Sequence, residues 1–167
     1  MPARSYEYIV KKIQKKTFGI LSTVSPKGFA QSTGVLYGTQ FRSKKIIFYI
    51  VTSKKYIKSQ NIENNKHVSF LIPFPHHWFR FVPSSTIYFQ GIAKFLPIDD
   101  ANAIASHKER KVLEMSLDQL KNEKSKEELT FLEITPSKTI HIYGVGFSIL
   151  ESRKNPHGLY YNHSVLD

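Results

Sequence analysis

The run Thr52-Ser53-Lys54-Lys55-Tyr56-Ile57-Lys58 brings two hydroxyls and three ammonium groups into one short stretch. Where a strand ends and a helix begins, such a run offers open backbone N–H groups and point charges together, which is what a phosphate seat requires. A solvated basic helix capped by Ser53 satisfies the same spacing, and residue order alone does not separate the two. Other reactive combinations are sparse. His76-His77 has the wrong spacing for two ligands on one helix face and the other histidines are scattered, so no metal site is expected. The chain has no cysteine, which excludes disulfides, thiolate catalysis and Cys-ligated zinc or iron–sulfur centres. No Gly-x-Ser-x-Gly elbow occurs, and no residue is assigned a catalytic acid–base role. His141, alternating with Ile140 and Ile142, reads as a hydrogen-bonded sheet residue.

The elements that must position the basic run follow from periodicity. Tyr6, Ile9, Val10 and Ile13 recur at helical spacing with lysines opposite, predicting a helix over 5–16 with Ser5 as its N-cap. Strands are expected at Phe18 to Val24 and Phe29 to Tyr37, joined by a turn at Ser25-Pro26-Lys27-Gly28. Lys45 to Thr52 is a nearly continuous apolar run, the pattern of a strand buried on both faces. A short basic helix ending near Asn64-Asn65 follows, then a strand from His67 to Ile72. Pro73, Pro75 and Pro83 bracket the aromatic loop Phe74-Pro75-His76-His77-Trp78-Phe79-Arg80-Phe81, which cannot belong to a central strand. Thr86 to Phe95 reads as a long strand bulged at Gln90-Gly91. Residues 98–126 read as helical, with Ile104, Ala105, Leu113, Leu117 and Leu120 as core contacts. Leu129 to Ile134 and Lys138 to Tyr143 read as two strands around Thr135-Pro136-Ser137, and the tail from Glu151 as polar, with a turn at Asn155-Pro156-His157-Gly158.

At 167 residues and 41% hydrophobic content, one domain is expected, 1–167, with 151–167 as its polar tail. The element order suits a mainly β (α+β) fold, a small closed barrel with helices at its ends. The net charge of +11 draws anions without naming one. Apolar stretches are strand-sized, and Lys11, Lys12, Lys15 and Lys16 occupy the place of a signal peptide's apolar region. A cytoplasmic protein with no membrane segment is therefore expected.

Several of these stretches, in order, resemble the pyridoxamine 5′-phosphate oxidase-like proteins. The resemblance runs through Phe18-Gly19-Ile20-Leu21-Ser22-Thr23, Lys27-Gly28, Gln31-Ser32-Thr33-Gly34-Val35 and Ile47-Phe48-Tyr49-Ile50-Val51-Thr52. It continues through Lys58-Ser59-Gln60-Asn61-Ile62, Tyr88-Phe89-Gln90-Gly91 and Phe131-Leu132-Glu133-Ile134, covering about residues 5 to 148. It implies a six-stranded split β-barrel that forms a homodimer, with flavin mononucleotide (FMN) at the subunit interface. By position, Gln31, Ser32, Thr33 and Gly34 would line the isoalloxazine ring, Thr52, Ser53 and Lys58 would hold the ribityl phosphate, and Gln90 would approach from the interface. Trp78 would wall the flavin from its loop or pack in the dimer interface. The arginine- and histidine-bearing signature of true pyridoxamine phosphate oxidases has no counterpart at Glu151-Ser152-Arg153-Lys154-Asn155-Pro156-His157-Gly158, which argues against vitamin B6 oxidation.

The resulting expectation is an FMN-binding oxidoreductase acting through the flavin ring on an unidentified small molecule. A reductase using the deazaflavin F420 on the same fold is the nearest alternative, since lysines would suit that cofactor's acidic tail. A basic barrel binding single-stranded nucleic acid is less favoured. Its basic residues would lie along a strand face, whereas here they concentrate at one strand–helix junction.

Overall fold

The computed structural model describes residues 4–42, 45–75, 84–122, 129–154 and 156–164. The predicted first helix forms as α1 (Tyr6–Gln14), with Ser5 Oγ accepting from Tyr8 N–H and Ile9, Val10 and Ile13 buried. Next come β1 (Phe18–Val24), β2 (Ala30–Leu36), β3 (Gly38–Arg42), β4 (Lys45–Ser53), α2 (Ile57–Asn64), β5 (His67–Phe74) and β6 (Ser85–Leu96). The chain continues as α3 (Ala101–Lys108), α4 (Lys111–Asn122), β7 (Leu129–Tyr143), α5 (Ile149–Lys154), a 3-10 turn (Pro156–Leu159) and β8 (Tyr160–Ser164). The strands form one antiparallel sheet in the order β2-β1-β5-β6-β7-β4-β3, with β8 also on β7. The result is a mostly antiparallel α+β fold of eight strands among the described residues, in a sheet that does not close, where the element order suggested a closed barrel and the resemblance implied six strands.

Aromatic residues fill its inside. The rings of Tyr37, Phe48, Phe70 and Phe89 meet at centroid separations of 4.8 to 5.5 Å, in tilted or edge-on pairs that favour ring contact over face-to-face stacking. The Tyr37 hydroxyl donates to Ile13 O at 3.0 Å and so ties α1 to the segment between β2 and β3. β4 is buried on both faces, as its sequence predicts, because Ile47 and Tyr49 turn away from this cluster toward Ala103, Leu117 and Phe131. The predicted turn is present, with Gly28 N–H donating to Ser25 O at 2.8 Å and Gly28 at φ +84°, a conformation that favours glycine.

Four expectations are corrected. The second strand forms as expected and ends at Leu36, but another strand follows it directly. The chain leaves β1 there, and β3, not foreseen, pairs with β4. The 98–126 segment is two helices, α3 and α4, broken near Arg110, whose guanidinium donates to Gln14 O at 2.5 Å. Of the expected core contacts, Leu113 and Leu117 are buried, Ile104 packs half-buried against the Ala103–Leu117–Phe131 cluster and Leu120 is half-buried, whereas Ala105 is exposed and the unforeseen Ala103 is buried. Leu129 to Tyr143 is a single strand. Pro136 lies opposite Gly91, where a bulge in β6 shifts the register, so its missing N–H falls where the ladder is already interrupted. The polar tail is not a plain extension, since β8 pairs with the second half of β7. β6 pairs with β7 along both halves, so β4 and β8 share the other edge of β7, one after the other.

Candidate functional site

The turn after β4 and the start of α2 form a cleft with β2 and Thr23 of β1. It has a volume of about 670 Å³ and is lined by Thr23, Gln31, Ser32, Thr33, Lys55, Tyr56, Ile57 and Lys58. Gln31, Ser32, Thr33 and Lys58 are therefore brought together from positions far apart in sequence. β2 contributes the first three from an edge strand, whose outer backbone groups have no further strand to pair with among the described residues, and α2 contributes Lys58.

Lys58 folds back over its own helix start, with Nζ 4.6 Å from the Tyr56 ring centroid. It is half-buried, and that burial lowers its pKa from the ordinary lysine value. Among the described residues no carboxylate pairs with it. α2 begins without a side-chain cap, because its N-cap is Tyr56 and not Ser53. The N–H groups of Ile57 and Lys58 meet no acceptor among the described residues. A desolvated cation beside two open donors is chemically matched to an anion.

Thr52 and Ser53 lie beneath this cleft. Both are buried, and their polar groups serve the junction itself. Thr52 Oγ1 is 3.3 Å from Ser59 Oγ, Ser53 Oγ accepts from Lys55 N–H at 3.2 Å, and Ser59 Oγ donates to Ser53 O at 2.8 Å. They shape the strand-to-helix corner that presents Lys55 and Lys58. Gly34 is next along β2, under the ring of Phe18, whose Cε2 would lie 2.8 Å from a Cβ at that position. Gln90 stands apart, in an adjoining groove of about 420 Å³ that includes His67, Ser69, Ile92 and, shared with the cleft, Thr23. Trp78 and the rest of 76–83 lie outside the described residues. Sequence reasoning missed Asn61 as a site residue. It is buried on α2 and donates to Thr23 Oγ1 at 2.9 Å and Gln31 Oε1 at 2.7 Å. The available signal was a polar residue recurring with Ser59 and Ile62 on the inward side of a short helix.

The outer face of the sheet bordering both depressions has an unusual composition. Paired rows cross it: Ser32, Ser22, Ser69 and Gln90 in one, and Gly34, Ile20, Leu71, Tyr88, His141 and Asn162 in the next. Phe18, Ile92 and Tyr160 on the same face are 48%, 45% and 56% exposed. None of these positions carries Lys, Arg, Asp or Glu, although 22% of the chain is charged. His141 is hydrogen-bonded here as expected, its Nδ1 2.8 Å from Asn162 Oδ1 and 2.7 Å from the Tyr160 hydroxyl. The described residues contain no cluster of metal-ligating side chains and no helix long and apolar enough to cross a membrane.

No family model matches the chain, and no curated protein matches it in sequence. Solved structures do match in shape. The heme storage protein HutZ of Vibrio cholerae superimposes with a TM-score of 0.67 at 14% identity, over 87% of this chain and 98% of that one. A heme binding protein of Mycobacterium smegmatis gives 0.66 at 12% identity over 90% of this chain, which spans only 53% of that protein's length. A Listeria innocua protein provisionally named a pyridoxamine 5′-phosphate oxidase gives 0.57 at 20% identity, over 81% and 95% of the two chains. Likeness at such identities speaks for architecture, and the chain has the split-barrel fold of the pyridoxamine 5′-phosphate oxidase-like proteins.

Proposed function

We propose that the chain binds FMN in the cleft between β2 and the start of α2, as a homodimer, and passes hydride or electrons through the flavin to a small molecule. The observation that carries this reading is Lys58, a half-buried cation with no carboxylate partner among the described residues, beside the open N–H groups of Ile57 and Lys58. An anionic phosphate offsets its desolvation and takes up the donors. The cleft volume of about 670 Å³ lies within the range of cofactor pockets. β2 supplies Gln31, Ser32 and Thr33 to a planar ring. The ring, when bound, supplies the redox chemistry. The residues named here bind and orient it, and none is assigned a proton transfer.

The outer face supports the dimer. Its exposed Phe18, Ile92 and Tyr160, with Lys94 beyond Ile92 on the same face of β6, are suited to burial against a second copy. The groove holding Gln90 opens on that face beside the cleft, so a partner subunit would bring its own groups toward the flavin.

Titration of FMN into the apoprotein, followed by quenching of flavin fluorescence, tests the reading. Saturable binding of one FMN per chain is expected. A second reading, heme, is favoured by the two neighbours named for heme and by His67 at the rim of the Gln90 groove. A protein that ignores FMN but gives a Soret band with hemin, lost in His67→Ala, would replace the first reading with the second.

A further inference from the structure

Asn61 is 3% exposed, yet it carries a carboxamide, a group that is costly to bury unless its polar atoms are bonded. Its Nδ2 donates in two directions, to Thr23 Oγ1 on β1 at 2.9 Å and to Gln31 Oε1 on β2 at 2.7 Å. The second contact has a consequence for the cleft. A carboxamide is planar, with its oxygen and nitrogen on opposite sides of one carbon. Once Gln31 Oε1 is held inward by Asn61, Nε2 and its two protons are directed away from α2. Gln31 itself is exposed and lines the cleft. An unrestrained glutamine offers either end to a ligand, whereas this one is held to the donor end.

We propose that Asn61 is a positioning residue that fixes Gln31 as a hydrogen-bond donor, so that the cleft selects ligands bearing acceptor oxygen or nitrogen atoms along the edge that meets β2. The inference rests on the flavin reading and sharpens it, because the oxidised flavin ring carries carbonyl oxygens and unprotonated ring nitrogens at its pyrimidine side. Thr23 completes the relay by taking the other Asn61 proton, so the buried amide is held from two strands at once.

Two substitutions reverse the polarity by different routes. In Asn61→Asp the buried group accepts only, so Gln31 must turn its NH2 inward and show oxygen to the cleft. In Gln31→Glu, Asn61 keeps both donations and a carboxylate oxygen faces the cleft. Measured at pH 8, each should weaken FMN binding about tenfold, the effect of one lost hydrogen bond together with an acceptor set against an acceptor. The double variant Gln31→Ala/Asn61→Asp should bind no more weakly than Gln31→Ala alone, because the donor that Asn61 fixes is already gone. Wild-type affinity in Gln31→Glu overturns the proposal even if Asn61→Asp fails to fold, and losses that multiply in the double variant reduce Asn61 to a separate structural role. A readout independent of flavin is the side-chain amide exchange of the apoprotein by NMR. The Asn61 NH2 protons should be protected and those of Gln31 should exchange freely. The opposite pattern overturns the relay whether or not FMN binds, whereas failure of the wild type to bind FMN with the expected exchange pattern sinks only the flavin reading.

Discussion

Replacing Lys58 by alanine should weaken FMN binding about tenfold and leave riboflavin binding nearly unchanged. Lys58 Nζ sits over the Tyr56 ring at 4.6 Å, at the mouth of α2, where the N–H groups of Ile57 and Lys58 are open. A hydrogen bond to a charged group contributes about 1.5–3 kcal/mol. Two features favour the lower end. Lys55 lines the same cleft and can supply part of the lost charge, and the backbone donors survive the substitution. About 1.5 kcal/mol corresponds to roughly a tenfold change in dissociation constant. Riboflavin keeps the ring and ribityl chain but lacks the phosphate, so the ratio of the two affinities isolates the contact. Both ligands would be titrated into apoprotein and variant by fluorescence quenching at fixed ionic strength, since salt weakens exposed charge contacts. Equal losses for the two flavins would show that Lys58 supports the ring site or the fold, and no loss for either would return the lysine run to a solvated surface.

Burial lowers the pKa of Lys58, so FMN affinity should hold through neutral pH and fall as pH rises through that lowered value, before ordinary lysines titrate. The alkaline fall should be much smaller in Lys58→Ala, and an identical profile in both proteins would refute the assignment. Ile92→Glu places a carboxylate at an exposed apolar position of the outer face and should shift the protein from dimer to monomer in sedimentation equilibrium, with FMN affinity falling alongside. Gly91→Ala sets a Cβ 2.6 Å from Thr135 O at the β6–β7 bulge, which should cost about 1–3 kcal/mol in urea denaturation with an unchanged m-value. Asp100→Ala removes the side-chain acceptor for Ala103 N–H at the start of α3 and should cost about 1 kcal/mol in the same assay.

The sequence by itself determined the features that depend on near neighbours. α1 follows from the spacing of Ile9, Val10 and Ile13 and from Ser5 as its cap. β4 is apolar throughout because both its faces are covered, and the bulge at Gln90-Gly91 shows in a glycine within a strand. Lys58 was legible as a candidate anion ligand because lysines cluster at a strand–helix junction. What the sequence left open involves contacts between distant segments. β3 has a mixed composition and is a strand only because β4 offers its edge, and β8 exists only because β4 leaves the edge of β7 opposite β6 open along its second half. Pro136 looked like a break between strands, and only the bulge across from it, in β6, allows the strand to run on. Thr52 and Ser53 have hydroxyls suited to a phosphate, but the fold turns them inward to hold the corner of the junction. Asn61 reads as one polar residue among several on a short helix. Its role arises only when β1 and β2 bring Thr23 and Gln31 within hydrogen-bonding distance from 38 and 30 residues away. Local patterning fixes which face of an element is buried, whereas which groups meet across the barrel is decided by the pairing of strands far apart in the chain.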